Sequence, residues 1–233
     1  MAVFRVEPEV FSAFPSARFA AVVVRGIDNS RASDDASRRL ATAVAATRDA
    51  FAGVDAKSHP SIAAWREAFG ARGWTPSKYL SSIEALVRRV ARGDDLPSIN
   101  PAVDLGNAAS LRYLVPIGAH DLAAAPDGIA VRLARPDDRF LPMGDAPEES
   151  PDPGEIVYAS GSDVRTRRWV WRQSRTALVT GAARDLLYPI DGFSGITEDA
   201  MRAAAAELAE VVPALLGGGA HVFFIDPEHP AAE

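Results

Sequence analysis

Two polar side chains, Asp104 and Asn107, have types and a spacing that could do chemistry. They lie three residues apart in a predicted helix over residues 101–113, which an Asn-Pro pair opens, so they share one helix face. The helix must end before Pro116, because the residue before a proline avoids the helical region. It therefore runs directly into the loop PIGAHD, residues 116–121. A polar helix face that leads into a glycine-containing loop predicts a pocket for a polar ligand.

The catalytic group in such a pocket stays open at the level of the sequence. His120 is the best placed of the four histidines, and Asp121 follows it, so these two residues are the candidates. A lone histidine often has a structural role instead, and Asp121 can order the loop backbone. Asp104 and Asn107 have the same alternative, since short polar side chains commonly tie neighbouring loops through hydrogen bonds to the backbone.

A second concentration of functional residue types is the segment VRTRRWVWRQS. Its basic residues are Arg165, Arg167, Arg168, Arg172 and Arg175. Trp169 and Trp171 are two apart, which predicts that they lie on one face of a strand. Arginines interleaved with aromatic rings are typical of surfaces that bind nucleic-acid phosphates and bases. The alternative, favoured by periodicity alone, is a strand whose Trp side chains lie in the core while its Arg side chains are exposed or paired with acids.

These segments belong to an ordered set of motifs: HPSIAAWREAF, SSIEALVRRV, LPSIN, VDLGN, VPIGAHD, GEIVYA and RRWVWRQS. The set resembles the free-standing bacterial B3/B4 domain proteins, over roughly residues 19–193. It is also similar to the B3/B4 domain of the bacterial phenylalanyl-tRNA synthetase beta subunit, which performs amino-acid editing. The resemblance implies an aminoacylated tRNA as partner and Arg165, Arg167, Arg168 and Arg172 as tRNA-binding residues. It further implies a substrate pocket, whose predicted residues are Asp104, Asn107, Gly118, Trp171, Gln173 and Ser174.

One position departs from the synthetase pattern. The synthetase domain resembles Pro-x-His-Ala-x-Asp across the loop, and its histidine helps to form the editing site, whereas this chain has Gly118 there. Glycine supplies no acid, base or hydrogen-bonding side chain, but it lets the backbone approach a ligand. We therefore expect a mechanism and a specificity unlike the removal of tyrosine from phenylalanine tRNA, with loop amides around Gly118 as donors to an oxyanion.

Composition limits the function classes. The 233 residues are 48% apolar and contain no cysteine, which excludes a disulfide framework, a thiolate nucleophile and a Cys-ligated zinc site. The sequence also lacks a P-loop, a GxGxxG fingerprint, an HExxH motif and a GxSxG elbow, so we predict no cofactor and no metal. A net charge of −6 counts mildly against a nucleic-acid partner without excluding it, because binding depends on a local basic patch. No apolar run reaches spanning length and no signal peptide is evident, so we expect a cytoplasmic protein without a membrane partner.

The elements that must position these residues follow from the apolar periodicity. Helices are predicted over 35–51, 60–71, 82–92, 101–113 and 198–216. Strands are predicted over 18–27, within 127–135 and 154–159, across 163–174, and over 176–180, 186–190 and 221–225. A short strand and a turn occupy 4–15, and the tail from residue 226 is predicted to be loose. Helices come early and strands late, which indicates an α+β fold with a mainly antiparallel or mixed sheet. We predict a single domain over 1–233, with a possible subdomain boundary in the 144–154 loop.

The combined prediction is a trans-editing deacylase that hydrolyses the ester of a mischarged aminoacyl-tRNA, and not a complete synthetase. The alternatives are a non-catalytic RNA-binding module and an amino-acid-binding protein. The sequence does not indicate the amino acid, the tRNA or the oligomeric state.

Overall fold

A computed structural model describes residues 2–233. Its six α-helices are α1 (Pro8–Ala13), α2 (Asp34–Ala50), α3 (Pro60–Ala71), α4 (Ser82–Ala91), α5 (Pro101–Tyr113) and α6 (Glu198–Leu216). Its strands are β1 (Phe4–Val6), β2 (Ala17–Arg25), β3 (His120–Asp121), β4 (Ile129–Leu133), β5 (Ile156–Ser160), β6 (Asp163–Arg167), β7 (Arg172–Gln173), β8 (Leu186–Phe193), β9 (Gly219–Ile225) and β10 (Ala231–Ala232). The predicted α+β class is confirmed.

The strands form two sheets. The six-stranded sheet has the order β10-β1-β4-β5-β6-β7, and it is mixed because β1 and β4 run parallel while its other neighbours are antiparallel. The four-stranded sheet has the order β3-β8-β2-β9 and is antiparallel throughout. The sequence predicted a mixed or antiparallel sheet, and the structure contains one of each kind.

Strand β2 shows why an uninterrupted apolar run becomes the middle of the four-stranded sheet. Successive strand residues point to opposite faces. Phe19, Ala21 and Val23 accordingly join one hydrophobic core, while Ala20, Val22 and Val24 join a second core with α5 and α6. Both faces of β2 are therefore buried, and a strand buried on both faces needs apolar residues at every position.

The predicted helix starts rest on local chemistry that the structure shows directly. Ser33, Ser81 and Asn100 each accept a hydrogen bond from a backbone N–H in the first turn of the following helix, as N-cap residues do. Helix α5 ends at Leu114, whose φ of 54° turns the chain into the 116–121 loop. These five predicted helices are confirmed within one or two residues.

Three local predictions are wrong. Residues 8–13 form a helix instead of a turn, and residues 176–180 form no strand, because Ser174 caps a short 3-10 turn at Arg175–Ala177. The tail is not loose at its end: β10 pairs with β1, with Phe4 opposite Ala232. Tertiary pairing therefore orders a polar terminus that carries little intrinsic strand signal.

Candidate functional site

A cavity of about 90 Å³ lies where elements of both sheets meet. It is lined by Ser82, Pro116, Ile117, Gly118, His120, Tyr158, Thr166, Trp169, Val170, Trp171, Gln173, Pro189 and Asp191. The loop after α5 and strand β8 form one wall, and β5, β6 and the turn after β6 form the other. His120, Tyr158, Trp169 and Asp191 are buried and form its floor. Ile117, Trp171 and Gln173 are half-buried and mark its mouth.

Asp191 is the central group of the floor. Its Oδ1 accepts a hydrogen bond of 2.6 Å from the Tyr158 hydroxyl and one of 2.7 Å from Trp169 Nε1. Across residues 2–233 no protein group donates a hydrogen bond to Oδ2. Burial raises the pKa of Asp191 to about 7, against the two hydrogen bonds, which lower it. A buried carboxyl group that titrates near neutral pH in a cavity is typical of an acid–base catalyst.

His120 forms the adjacent part of the floor. Its ring stacks on Tyr158 with centroids 5.9 Å apart, and a Cβ atom placed on Gly118 would lie 3.2 Å from its Nε2. Burial, aided by the positive charge of Arg165, lowers the pKa of His120 to about 3, so the imidazole is neutral at physiological pH. Its Nδ1 is buried and has no hydrogen-bond partner in residues 2–233. A proton on Nδ1 would lack an acceptor, so we assign the proton to Nε2.

Trp169 and Trp171 reach this site through a strained turn, and the prediction that they share a strand face is wrong. Strand β6 ends at Arg167, and Arg168 and Trp169 have φ values of 43° and 63°, a left-handed conformation that costs non-glycine residues energy. The Trp169 amide bonds to the Ile156 carbonyl at 2.6 Å. The turn directs Trp169 into the core, where it supports Asp191, and leaves Trp171 at the mouth.

The arginines that the resemblance assigned to tRNA are mostly inside the protein. Arg165, Arg167 and Arg168 are each less than a tenth exposed. Arg167 binds the fully buried Glu155 at 2.9 Å, and Arg168 binds Asp152 at 2.5 Å. Arg165 pairs with Asp163 at 3.2 Å and donates to two backbone carbonyls, those of Ala124 and Thr176.

Guanidinium groups that are buried and paired in this way cannot also neutralise phosphates. Acids of the 144–155 region cover Arg167 and Arg168, and Asp163 with two backbone carbonyls engages Arg165, so these three guanidinium groups are not presented to solvent as the predicted tRNA-binding surface requires. Arg172 is half-buried and pairs with Glu149 at 3.4 Å, so it is the most accessible of the four arginines.

The predicted pocket residues on α5 lie elsewhere. Asp104 is buried, and its carboxylate accepts hydrogen bonds from Ile99 N at 2.9 Å and Ser98 Oγ at 2.5 Å. It borders a different cleft, near the starts of α2 and α5. Asn107 lies on the same helix and is not part of the cavity wall. The alternative role, tying a loop to the helix, is the one that the structure gives Asp104.

The remaining candidates divide between the cavity and its surroundings. Gly118 and Gln173 line it with Trp171, whereas Ser174 is buried against the Leu141 carbonyl, 3.0 Å away. Asp121 caps a 3-10 turn by accepting from Ala123 N at 3.0 Å and does not line the cavity. The Gly118 amide donates to the Pro189 carbonyl at 2.9 Å. The Gly118 amide itself is therefore not free to donate to an oxyanion, because the Pro189 carbonyl of β8 accepts its hydrogen bond.

Sequence reasoning missed Tyr158 and Asp191. Both lie on strands whose side chains are buried throughout. The available signal was the aspartate in LLYPIDGF, since a buried strand rarely carries a carboxylate without a partner or a function. Residues 2–233 contain no group of three or more His, Cys, Asp or Glu side chains arranged to hold a metal ion. In the same range, no helix combines the length and apolar character needed to cross a bilayer.

Comparison with known proteins decides the family. The family model of the B3/4 domain matches residues 64–210, more than half of the chain. The chain belongs to the B3/4 domain family. The matched range of this B3/4 domain includes every residue that lines the cavity.

Two further comparisons give less information about this chain. An N-terminal fragment of the phenylalanyl-tRNA synthetase beta-subunit from Pyrococcus horikoshii is similar in structure, with a TM-score of 0.44 and 12% sequence identity. The alignment covers 96% of this chain and 53% of that one, so this B3/4 protein spans about half the length of the synthetase fragment. No protein with a curated description matches the sequence.

Proposed function

We propose that this B3/4 domain hydrolyses the ester of a mischarged aminoacyl-tRNA, with Asp191 as the general base. The supporting observation is a carboxyl group with a pKa of about 7 on the floor of a cavity that opens beside Trp171. A general base is most effective when its pKa lies near the working pH. We therefore assign to Asp191 the role of general base, which the sequence left open.

The reaction needs one proton transfer from water. Asp191 Oδ2 accepts a proton from a water molecule as the water oxygen bonds to the ester carbonyl carbon. The neutral His120 donates its Nε2–H to the oxyanion that forms, in place of a backbone amide. The carbon–oxygen bond to the ribose then breaks, and the ribose oxygen takes up the proton, either from Asp191 or through the neighbouring ribose hydroxyl. The products are the free amino acid and the tRNA.

The RNA end is proposed to lie at the mouth. Trp171 packs edge-on against Tyr79 with centroids 4.8 Å apart, and both rings are half-buried. Lys78 lies 5.1 Å from the Tyr79 ring and is exposed. The Arg168 guanidinium lies 4.0 Å from the Tyr79 ring and 5.0 Å from the Trp171 ring, so a base would stack on the parts of these rings that remain accessible. Aromatic rings next to cations bind unpaired bases by stacking, largely without sequence preference. This arrangement suits the unpaired end of a tRNA. We propose a cytoplasmic location for the activity because aminoacyl-tRNAs are used there.

The test is the release of amino acid from a panel of mischarged tRNAs by the wild-type protein and Asp191→Asn. The exposed Asp137→Asn is the matched control, because it removes one carboxylate that has no contact with the cavity. Loss of a general base is expected to lower kcat by about 10²–10⁴-fold, with the control unchanged. Full activity of Asp191→Asn would contradict the assignment. Binding of tRNA without hydrolysis by the wild type would favour an RNA-binding module, and calorimetric binding of free amino acids alone would favour an amino-acid-binding protein.

A further inference from the structure

The cavity is small for an aminoacyl group. Its volume is about 90 Å³. A dry protein cavity that admits benzene measures about 150 Å³. The inner part of the site is therefore smaller than a cavity that holds an aromatic ring.

The walls are too rigid to enlarge the cavity cheaply. Pro116 and Pro189 lie in it with fixed rings, and Tyr158 and Trp169 are both held by hydrogen bonds to Asp191. Trp169 is further enclosed by Trp65, whose ring centroid lies 5.0 Å away. Close-packed aromatic walls of this kind resist displacement.

Gly118 also limits the space in the cavity that a ligand can occupy. A Cβ atom at this position would lie 3.2 Å from His120 Nε2 and 3.2 Å from Pro189 Cγ. Both distances are tighter than ordinary contact, and both neighbours are rings in the rigid wall. Glycine here therefore keeps open space that even one methyl group would take from a ligand.

From these observations we infer that the substrate of the B3/4 domain is the tRNA ester of a small amino acid, of the size of glycine, alanine or serine. This inference rests on the proposed function. Phenylalanyl and tyrosyl esters are excluded by volume, independently of any group that recognises a ring hydroxyl. The attacking water lies against Asp191 and the ester carbonyl against neutral His120, so the polar floor is filled by the reacting groups and little of the cavity remains for a side chain.

The experiment compares kcat/KM for deacylation of glycyl-, alanyl-, seryl-, valyl-, phenylalanyl- and tyrosyl-tRNA. The small esters are expected to react at least about 100-fold faster than the aromatic ones, in the range that steric exclusion by a pocket provides. Aromatic esters that react within about tenfold of alanyl-tRNA would overturn the size limit while leaving the hydrolase intact.

Two variants change the volume in opposite directions. Gly118→Ala is expected to lower kcat/KM for alanyl-tRNA by about tenfold or more, and Ile117→Ala is expected to raise it for valyl-tRNA. Gly70→Ala on α3 is the control, because its added Cβ meets no atom within 4 Å. Equal kinetics of Gly118→Ala and Gly70→Ala would contradict the inferred role of Gly118.

Binding measurements with analogues that cannot be hydrolysed test the size limit separately from the proposed hydrolysis. Amide-linked alanyl and phenylalanyl adenosine analogues cannot be hydrolysed as esters, and calorimetry gives their Kd values. Tighter binding of the alanyl analogue together with no deacylation would refute the hydrolase and support the size limit. Equal or tighter binding of the phenylalanyl analogue would overturn the size limit whether or not the esters are cleaved.

Discussion

Asp191→Asn should make the protein more stable at alkaline pH while removing its proposed activity. The asparagine Oδ1 can still accept the hydrogen bonds from Tyr158 and Trp169, so the substitution keeps the shape of the cavity floor. What it removes is a buried negative charge that has no cationic partner among its hydrogen-bond donors. Such a charge is costly to desolvate.

The magnitude follows from the pKa of Asp191, which burial raises from 3.8 to about 7. In the unfolded chain the carboxyl group loses its proton near pH 3.8, whereas in the folded protein it keeps the proton up to about pH 7. Between these values the folded state binds more protons, so stability falls as the pH rises. At about 1.4 kcal/mol for each pKa unit, the loss reaches roughly 4 kcal/mol above pH 7. The asparagine side chain does not titrate, so the variant keeps this free energy of unfolding at high pH.

The assay is urea unfolding of the wild type and Asp191→Asn from pH 4 to pH 9. The two proteins should have similar free energies of unfolding near pH 4, and the variant should be more stable at pH 8 by up to about 4 kcal/mol. For a chain of this size the same difference corresponds to a rise in Tm of about 10 °C. Stability gained where activity is lost is the pattern expected of a residue kept for function.

A stability difference that does not change with pH would refute the reasoning. It would mean that the pKa of Asp191 is close to 3.8 in the folded protein, and that the carboxylate is solvated or paired in a way that the structure does not show. Asp191 would then be a weak base at neutral pH, and the proposed mechanism would fail with it.

Three more outcomes are expected. Tyr158→Phe removes a hydrogen bond that lowers the pKa of Asp191, so the midpoint of the pH–rate profile should move above 7; an unchanged or lower midpoint would contradict this. His120 has a pKa of about 3 in the folded protein against 6.5 unfolded, so the wild type should lose about 2 kcal/mol of stability between pH 6.5 and pH 5 that His120→Phe retains; parallel urea curves would show an exposed His120. Arg167→Met leaves Glu155 buried without its main partner, so the free energy of unfolding in urea should fall by about 3–5 kcal/mol. Weaker tRNA binding at unchanged stability would instead indicate that Arg167 contacts the RNA.

The secondary structure was largely readable from local signals. The Ser and Asn caps and the apolar spacing placed helices α2 to α6, and the continuous apolar run placed β2. These signals depend on neighbours within a few residues, which the sequence contains. The ordered motifs also identified the family. The predictions were wrong where pairing with distant segments determines the local structure. Strand β10 is an example, since it is a strand only because β1 lies beside it.

The site itself was decided by tertiary structure. The sequence correctly placed Gly118, Trp171 and Gln173 together, because the loop and the RRWVWRQS segment were both part of the shared motifs. It could not show that acidic side chains from the 144–155 region would neutralise and bury Arg167 and Arg168, since burial and ion pairing depend on contacts far apart in the chain.

Asp191 illustrates the physical reason for this division. The sequence contains the residue type of Asp191 and predicts the strand around it. The pKa of Asp191, however, depends on how much water the folded chain excludes and on which donors reach Oδ1. Those donors, Tyr158 and Trp169, come from the other wall of the cavity. Residue type and spacing therefore determined the elements and the family. Desolvation, charge pairing and the volume of the cavity arise only when both sheets meet, and they determine which of these residues can act.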